Sequence, residues 1–128
     1  MRNLLLALTF AAALCAPARA DEPCPAPSRS LDDIVATISA APDCARAYAV
    51  MNACLFTASG DVALAKAVED VCEPRFLDRL SSRERRVYAS ETARCRNRYE
   101  RQEGSMYVSF AATCEAGVAV DYAKRYGK

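Results

Sequence analysis

The chain has 128 residues, of which 52% are hydrophobic, 26% are charged and 7 are cysteine. These proportions are those of a globular protein, and they exclude a disordered tail or an all-apolar membrane bundle. Because the sequence contains no histidine, it excludes Ser-His and Cys-His catalytic pairs and histidine-ligated metal sites.

The first twenty residues have the pattern of a signal peptide. Arg2 precedes an apolar run from Leu4 to Cys15, and Ala18-Arg19-Ala20 places small residues at the cleavage positions. The run is too short to span a bilayer, which needs ~20 apolar residues. We therefore predict that residues 1–20 are removed, that no transmembrane segment is present, and that the mature protein starts at Asp21 in the periplasm or outside the cell.

Cleavage would change both the charge and the number of cysteines. The mature chain would carry 15 basic and 16 acidic residues, a balance that disfavours nucleic acid as a partner. It would keep six cysteines, and an even number in a small exported chain indicates three disulfides formed in an oxidising compartment. Because the sequence has no CXXC motif and no metal-ligand cluster, we expect a structural role for the cysteines and no cofactor.

The mature chain is predicted to begin with an extended tail over residues 21–29, which contains three prolines. A single helical domain is predicted over residues 30–128. Ser30 and Asp33 resemble a capping box, so the first helix is expected to start there and to run to about Ala40.

Two more helices and a short turn follow in the first half of the domain. The second helix is predicted to start at Pro42 and to close at Ser59-Gly60. Asp61 is predicted to cap the third helix, which Pro74 should end or kink. A short turn of helix around Phe76 is expected to lead out of it.

The fourth and fifth helices form the clearest hairpin. Ser81 and Glu84 form a capping box, and the helix that follows is expected to run to about Gly104. The fifth helix starts at Ser105, and Gly117 within it indicates a close helix contact or a kink. A stripe on the fourth helix and most aromatic residues are predicted to lie in the core: Tyr88, Thr92, Cys95, Tyr99, Phe56, Phe76 and Phe110. The fold prediction is an all-α, disulfide-stapled bundle of four or five helices built from antiparallel helical hairpins.

The cysteine spacing about Gly104 predicts one disulfide. Cys95 lies nine residues before this glycine and Cys114 ten residues after it. At a rise of about 1.5 Å per residue, the two sulfurs are level across an antiparallel hairpin. We predict a Cys95–Cys114 bridge, and a Cys72–Cys95 bridge is the alternative.

The spacing about Gly60 predicts the other two bridges. Cys44 and Cys72 lie at distances from this glycine that differ by about one helical turn, so we pair them. Cys54 is far from level with Cys72 and cannot reach Cys44, since residues ten apart in one helix are ~15 Å apart. Cys54 is therefore predicted to pair with Cys24 of the tail.

The segment from Leu80 to Arg125 resembles a known family. A helix bearing Tyr88 and Cys95 leads through the Gly104-Ser105 turn to Cys114 within "EGSMYVSFAATC". This pattern is similar to that of the LprI-like small exported bacterial proteins, some of which are lysozyme inhibitors. The resemblance implies an exported protein with a binding or inhibitory role.

Five arginines fall on one face of the fourth helix when each residue is given 100° of rotation. They are Arg83, Arg86, Arg94, Arg98 and Arg101. A dense patch of one charge sign indicates an anionic partner such as a carboxylate, a phosphate or an acidic protein surface. The alternative interpretation is a solvated helix face that nearby acids such as Glu91 and Glu100 screen. We take these arginines and the hairpin tip, Glu103, Gly104 and Ser105, as candidate partner-binding residues.

The function predicted from these features is a small exported, non-enzymatic binding or inhibitory module of the bacterial periplasm or envelope. Its partner is expected to be a protein or an anionic envelope component. One alternative is a structural envelope-associated protein without a discrete ligand. A remote alternative is a carboxylate-based glycoside hydrolase using Asp32-Asp33 or Glu69-Asp70, although adjacent residues on a helix point apart. The sequence identifies neither the partner nor the oligomeric state.

Overall fold

A computed structural model describes residues 23–127 of the chain as five α-helices, with two short 3-10 turns between the third and the fourth. The helices are α1 (Leu31–Ser39), α2 (Cys44–Cys54), α3 (Asp61–Cys72), α4 (Ser82–Tyr99) and α5 (Ser105–Tyr126). This range contains no strand, so the all-α prediction is confirmed. The predicted signal peptide, residues 1–20, lies outside it. None of the five helices combines the length and apolarity of a membrane span.

The longest helix, α5, is the centre of the packing. It lies against α3 and α4 and also contacts α2, while α1 packs on α2 and α3. The largest fully buried apolar side chains come from α1, α2, α3 and the residue between the two 3-10 turns: Ile34, Ile38, Met51, Leu64, Val68 and Phe76. Each of them contributes roughly 1.5–3 kcal/mol by burial. The ring of Phe76 meets that of Tyr88 edge-on at 5.2 Å between centroids, which brings α4 to this core.

Helix starts follow the capping chemistry expected from the sequence. The Ser30 hydroxyl accepts a hydrogen bond from the N–H of Asp33 at 3.2 Å. The Asp33 carboxylate accepts from the Ser28 hydroxyl and not from the N–H of Ser30, the N-cap residue. Only half of a capping box therefore forms at α1. At α4 both halves form, because the Ser81 hydroxyl accepts from the N–H of Glu84 and the Glu84 carboxylate accepts from the N–H of Ser81 at 2.7 Å.

The second helix ends earlier than predicted. It stops at Cys54 rather than at Ser59-Gly60, and the backbone reaches a positive φ of 57° at Thr57. The third helix ends at Cys72, in agreement with the expected effect of Pro74, which lies in the 3-10 turn that follows.

Asp61 explains the early end of α2, and its predicted role as an N-cap is wrong. The N-cap position belongs to Gly60, and Asp61 is fully buried as the first residue of α3. Its carboxylate accepts from the N–H groups of Phe56 at 2.9 Å and Ala58 at 3.2 Å. It also accepts from the Ser109 hydroxyl of α5 at 2.6 Å. This side chain therefore folds the α2–α3 loop and ties it to α5.

Three disulfides link the helices and the tail. They join Cys24 to Cys54, Cys44 to Cys72 and Cys95 to Cys114, with Cα atoms 4.8, 4.8 and 5.6 Å apart. These are the three pairs that the cysteine spacing predicts. Arg29 holds the tail further, since it donates to the Leu55 carbonyl at 3.2 Å and lies 5.8 Å from the centre of the Phe56 ring.

Two residues of α5, Gly117 and Phe110, test expectations from the sequence. A Cβ atom on Gly117 would lie 3.3 Å from the hydroxyl of Tyr48, so this glycine marks a close helix contact, and α5 continues through it. The core assignment of Phe110 is wrong, because its side chain is 39% exposed. It forms a surface aromatic cluster with Tyr99 and Tyr107 near the end of the α4–α5 hairpin.

Candidate functional site

The candidate site lies on α4, which is a strongly cationic helix. Its 18 residues include six arginines and two glutamates, and only Tyr88 and Cys95 are buried. Its principal packing partner is α5. Most of the α4 surface therefore faces solvent, and packing alone does not account for its charge.

Four of the five predicted arginines share one exposed face of α4. We call this surface the arginine face: Arg83, Arg86, Arg94 and Arg98. The side chain of Arg94 is 70% exposed, and the nearest carboxylate is that of Glu91 at 3.7 Å. An exposed pair of this kind contributes little, about 0–1 kcal/mol. The other three arginines form no ion pair with any carboxylate of residues 23–127.

Arg101, the fifth predicted arginine, lies just beyond the helix. The helix ends at Tyr99, and Arg101 stands in the turn that follows, which the N–H of Gln102 closes by donating to the Tyr99 carbonyl at 2.9 Å. Arg101 is exposed beside the hairpin tip, so we name it separately from the arginine face.

The arginine face has a small apolar centre. Val87, which is 42% exposed, and Ser90 lie between Arg83, Arg86 and Arg94 and line the same shallow depression. A guanidinium group is planar and weakly hydrated, so it contacts apolar atoms and anionic groups at the same time. This arrangement can hold a carboxylate or phosphate whose carrier also touches Val87.

The predicted tip residues, Glu103, Gly104 and Ser105, are all exposed. Gly104 has a φ of +113°, a backbone conformation that residues other than glycine rarely adopt. The glycine is therefore required by the backbone of the turn rather than by close packing, since a Cβ atom there would meet nothing within 4 Å among residues 23–127.

Three contacts fix α4 and so hold the arginine face in place. The Cys95–Cys114 disulfide links it to α5, and the Arg96 guanidinium donates to the Glu115 carboxylate at 2.6 Å. The Tyr88 hydroxyl donates to the Glu73 carboxylate at 2.9 Å. Burial and this carboxylate raise the pKa of Tyr88, so the phenol remains a donor at neutral pH.

A cluster of three carboxylates, Glu69, Glu73 and Glu115, lies where α3 and α5 pack, and the sequence analysis did not predict it. Burial, followed by the charges of Glu73 and Glu115, raises the pKa of Glu69 to about 7. Glu69 and Glu115 line one groove between α3 and α5, although they are 46 positions apart in the sequence. Glu69 and Glu73 are one helical turn apart, so their spacing could have shown that these two carboxylates are neighbours. Nothing local in the sequence could have added Glu115.

The carboxylate pairs proposed for glycoside chemistry do not form a catalytic arrangement. Asp33 accepts the Ser28 hydroxyl, and Asp70 pairs with the ammonium group of Lys66 on the exposed side of α3. Asp32 lies in the exposed first turn of α1. The two residues of each pair are neighbours in one helix. Of the four carboxylates, Glu69 is the one that lines a groove with another carboxylate, that of Glu115.

Replacing Glu69 by glutamine should remove a pH dependence of stability between about pH 4.5 and pH 7. The folded state of the parent binds more protons than the unfolded state in this range, because its Glu69 pKa is raised. The free energy of unfolding therefore falls as pH rises. Since this side chain is half-exposed, we expect a difference of about 1 kcal/mol, smaller than the full shift implies.

Thermal unfolding of parent and variant at pH 5 and pH 8 measures this effect. The variant should be the more stable of the two at pH 8, and the gap should close at pH 5. Exchanging exposed Glu100 for glutamine is the matched control and should leave the pH profile unchanged. Equal pH profiles for Glu69→Gln and the parent would contradict the assignment.

Within residues 23–127, no group of three or more histidine, cysteine, aspartate or glutamate side chains is placed to hold a metal ion. Comparison of the chain with family models, with curated proteins and with solved structures finds no match.

Proposed function

We propose that this protein is an exported, non-enzymatic binding module that holds an anionic partner on the arginine face. The observation that carries the proposal is the exposure of Arg83, Arg86 and Arg98 with no ion pair to a carboxylate of residues 23–127. Like charges spaced three or four apart destabilise a helix slightly, so their concentration here favours a role in binding. The Glu103, Gly104 and Ser105 turn, with Arg101 beside it, forms one end of the contact surface.

The scaffold suits recognition better than turnover. A rigid helix reduces the conformational entropy that its side chains lose on binding, and α4 is held by a disulfide on its buried side. Arginine favours carboxylate and phosphate because its donors form a fixed fork. Three disulfides are typical of proteins in an oxidising, extracytoplasmic environment, which supports export.

Soluble peptidoglycan fragments carry carboxylates and are the anionic probe for the arginine face. The resemblance to LprI-like proteins gives lysozyme as a second probe. Because common lysozymes are cationic, a lysozyme complex would use an acidic part of this protein rather than the arginine face. Binding of each probe to the purified, oxidised mature protein is measured by biolayer interferometry, and lysozyme activity is measured in parallel. Binding with inhibition supports an inhibitory module. Binding of neither probe at low salt favours a structural protein without a discrete ligand and contradicts the proposal.

A double variant, Arg94→Gln with Arg98→Gln, should slow association with the peptidoglycan fragments about tenfold at low salt. Added salt should weaken the parent and reduce the difference, because exposed charges are screened. The thermal midpoint should change little, since both side chains are exposed and glutamine has a similar helix propensity.

Lys66→Gln with Arg125→Gln is the matched control, because it removes the same charge from exposed positions outside α4. It should bind like the parent. If the Arg94 and Arg98 variant also binds like the parent at low salt, the arginine face is only a solvated surface.

A further inference from the structure

A second cationic feature lies away from the arginine face, where the start of α2, the turns after α3 and the end of α5 meet. These elements enclose a cavity of about 290 Å³. Its polar lining residues are Asp43, Arg75, Arg79 and Lys124. Its apolar lining includes Cys44, Ala45, Val120 and Ala123. It shares no lining residue with the depression on α4.

The cationic wall of this cavity is held by the fold. The Arg75 guanidinium donates through Nε to the Val71 carbonyl at 3.2 Å and through Nη2 to the Pro42 carbonyl at 2.8 Å. The Cys44–Cys72 disulfide fixes the start of α2 against the end of α3. Arg75 is therefore positioned before any ligand arrives, which lowers the entropy lost on binding.

The side chains that line the cavity carry more positive than negative charge, because Arg75, Arg79 and Lys124 are cationic and Asp43 is the one carboxylate among the lining residues. The Asp43 carboxylate already accepts the N–H of Arg46 at 2.7 Å as the N-cap of α2. Arg75 forms no ion pair within the described range, whereas Arg79 has a contact of its own and Lys124 lies 4.0 Å from the carboxylate of Asp121.

We propose that this cavity binds a small anion, a phosphate or carboxylate group carried on a short apolar body. The charged group lies among Arg75, Arg79 and Lys124, and the apolar body covers Ala45 and Ala123. The cavity is near the lower end of the size of small-molecule sites, so the ligand is small. A concave site in which positive charges outnumber negative ones concentrates anions, and a flat helix face does so less well. The inference goes beyond the proposed function, because it assigns a second site to a different part of the fold.

The test is an NMR titration of the ¹⁵N-labelled, oxidised protein at constant ionic strength. The probes are inorganic phosphate, phenyl phosphate and benzoate. Saturable shifts should appear at the amides of Ala45, Lys124 and Gly127, with a Kd on the order of 1 mM for inorganic phosphate. Phenyl phosphate should bind several-fold more tightly because its ring covers apolar surface. Benzoate compares a carboxylate with a phosphate on the same ring.

The variant Lys124→Gln should weaken phenyl phosphate binding about threefold, and adding Arg75→Gln should bring the loss to about tenfold or more. Lys124 is exposed, so the single variant remains informative if loss of the Arg75 hydrogen bonds disturbs α2. Lys66→Gln makes the same change as Lys124→Gln at an exposed position of α3 that does not line the cavity, and it should leave the affinity unchanged. Shifts that are absent, that do not saturate, or that appear only on α4 would overturn the site. Shifts confined to α4 would point to the arginine face instead, and the other two outcomes leave lysozyme and peptidoglycan binding untouched, so failure here is distinct from failure of the proposed function.

Discussion

Replacing Asp61 by alanine is expected to lower the free energy of unfolding by about 3–5 kcal/mol. The side chain is fully buried and accepts from two backbone N–H groups and the Ser109 hydroxyl. Alanine would leave all three donors without this acceptor, and each donor buried without a partner costs about 1–3 kcal/mol. Because the N–H groups belong to the α2–α3 loop, the loop should also lose its fixed conformation.

Chemical denaturation of the oxidised protein measures this change. Ser109→Ala is the matched control, since it removes one donor and leaves the two backbone contacts, and it should cost about 1–2 kcal/mol. The double variant should be less destabilised than the sum of the two single variants, because Asp61 and Ser109 share one hydrogen bond. An Asp61→Ala protein within 1 kcal/mol of the parent would show that the loop does not depend on this carboxylate.

Asp61 also shows where sequence reasoning fails for this fold. An aspartate after Ser-Gly and before an apolar stripe has the local pattern of an N-cap. Its actual role depends on Ser109, which is 48 positions away, and on N–H groups that lie before it in the chain. Long-range contacts of this kind leave no periodic signal, so local propensity gives the wrong assignment.

Features set by local chemistry were predictable. The Ser81 and Glu84 capping box depends on residues three apart, and the Cys95–Cys114 pair joins cysteines at similar sequence distances from Gly104 on the two arms of one hairpin. The end of α4 was predicted less well, because the sequence indicated a helix to about Gly104, whereas it ends at Tyr99. Helix ends are the least certain part of a prediction from sequence, and here the difference leaves Arg101 in a turn rather than on the helix.

The groove shared by Glu69 and Glu115 could not be predicted for a different reason. Their helices, α3 and α5, are separate in sequence and come together only through packing. The sequence analysis considered Glu69 only together with its neighbour Asp70, whereas the structure leaves Glu69 half-buried opposite α5 with a raised pKa. Charge counting along one helix does not show which carboxylates of another helix lie opposite.

Removing the Cys95–Cys114 bridge by a double alanine substitution is expected to lower the free energy of unfolding by about 3 kcal/mol. The loss should be concentrated in α4. Besides Cys95, only Tyr88 of this helix is buried, and the Arg96–Glu115 pair is too exposed to hold the helix alone. Without the bridge, α4 should separate from α5 more often than α1, α2 and α3 separate from one another.

Hydrogen exchange followed by mass spectrometry tests this localisation. Amides of α4 should lose protection in the variant, while those of α3, at the centre of the buried core, should keep most of it. Removal of the Cys24–Cys54 bridge is the matched control. The separations of the two pairs, 30 and 19 residues, give nearly the same loop-closure entropy, but this bridge holds the tail to α2, so its removal should leave α4 protected. Protection of α4 equal to that of α3 in the Cys95 and Cys114 variant would contradict the prediction. If α4 does loosen, binding to the arginine face should weaken in the same variant, since the partner must then order the helix that it contacts.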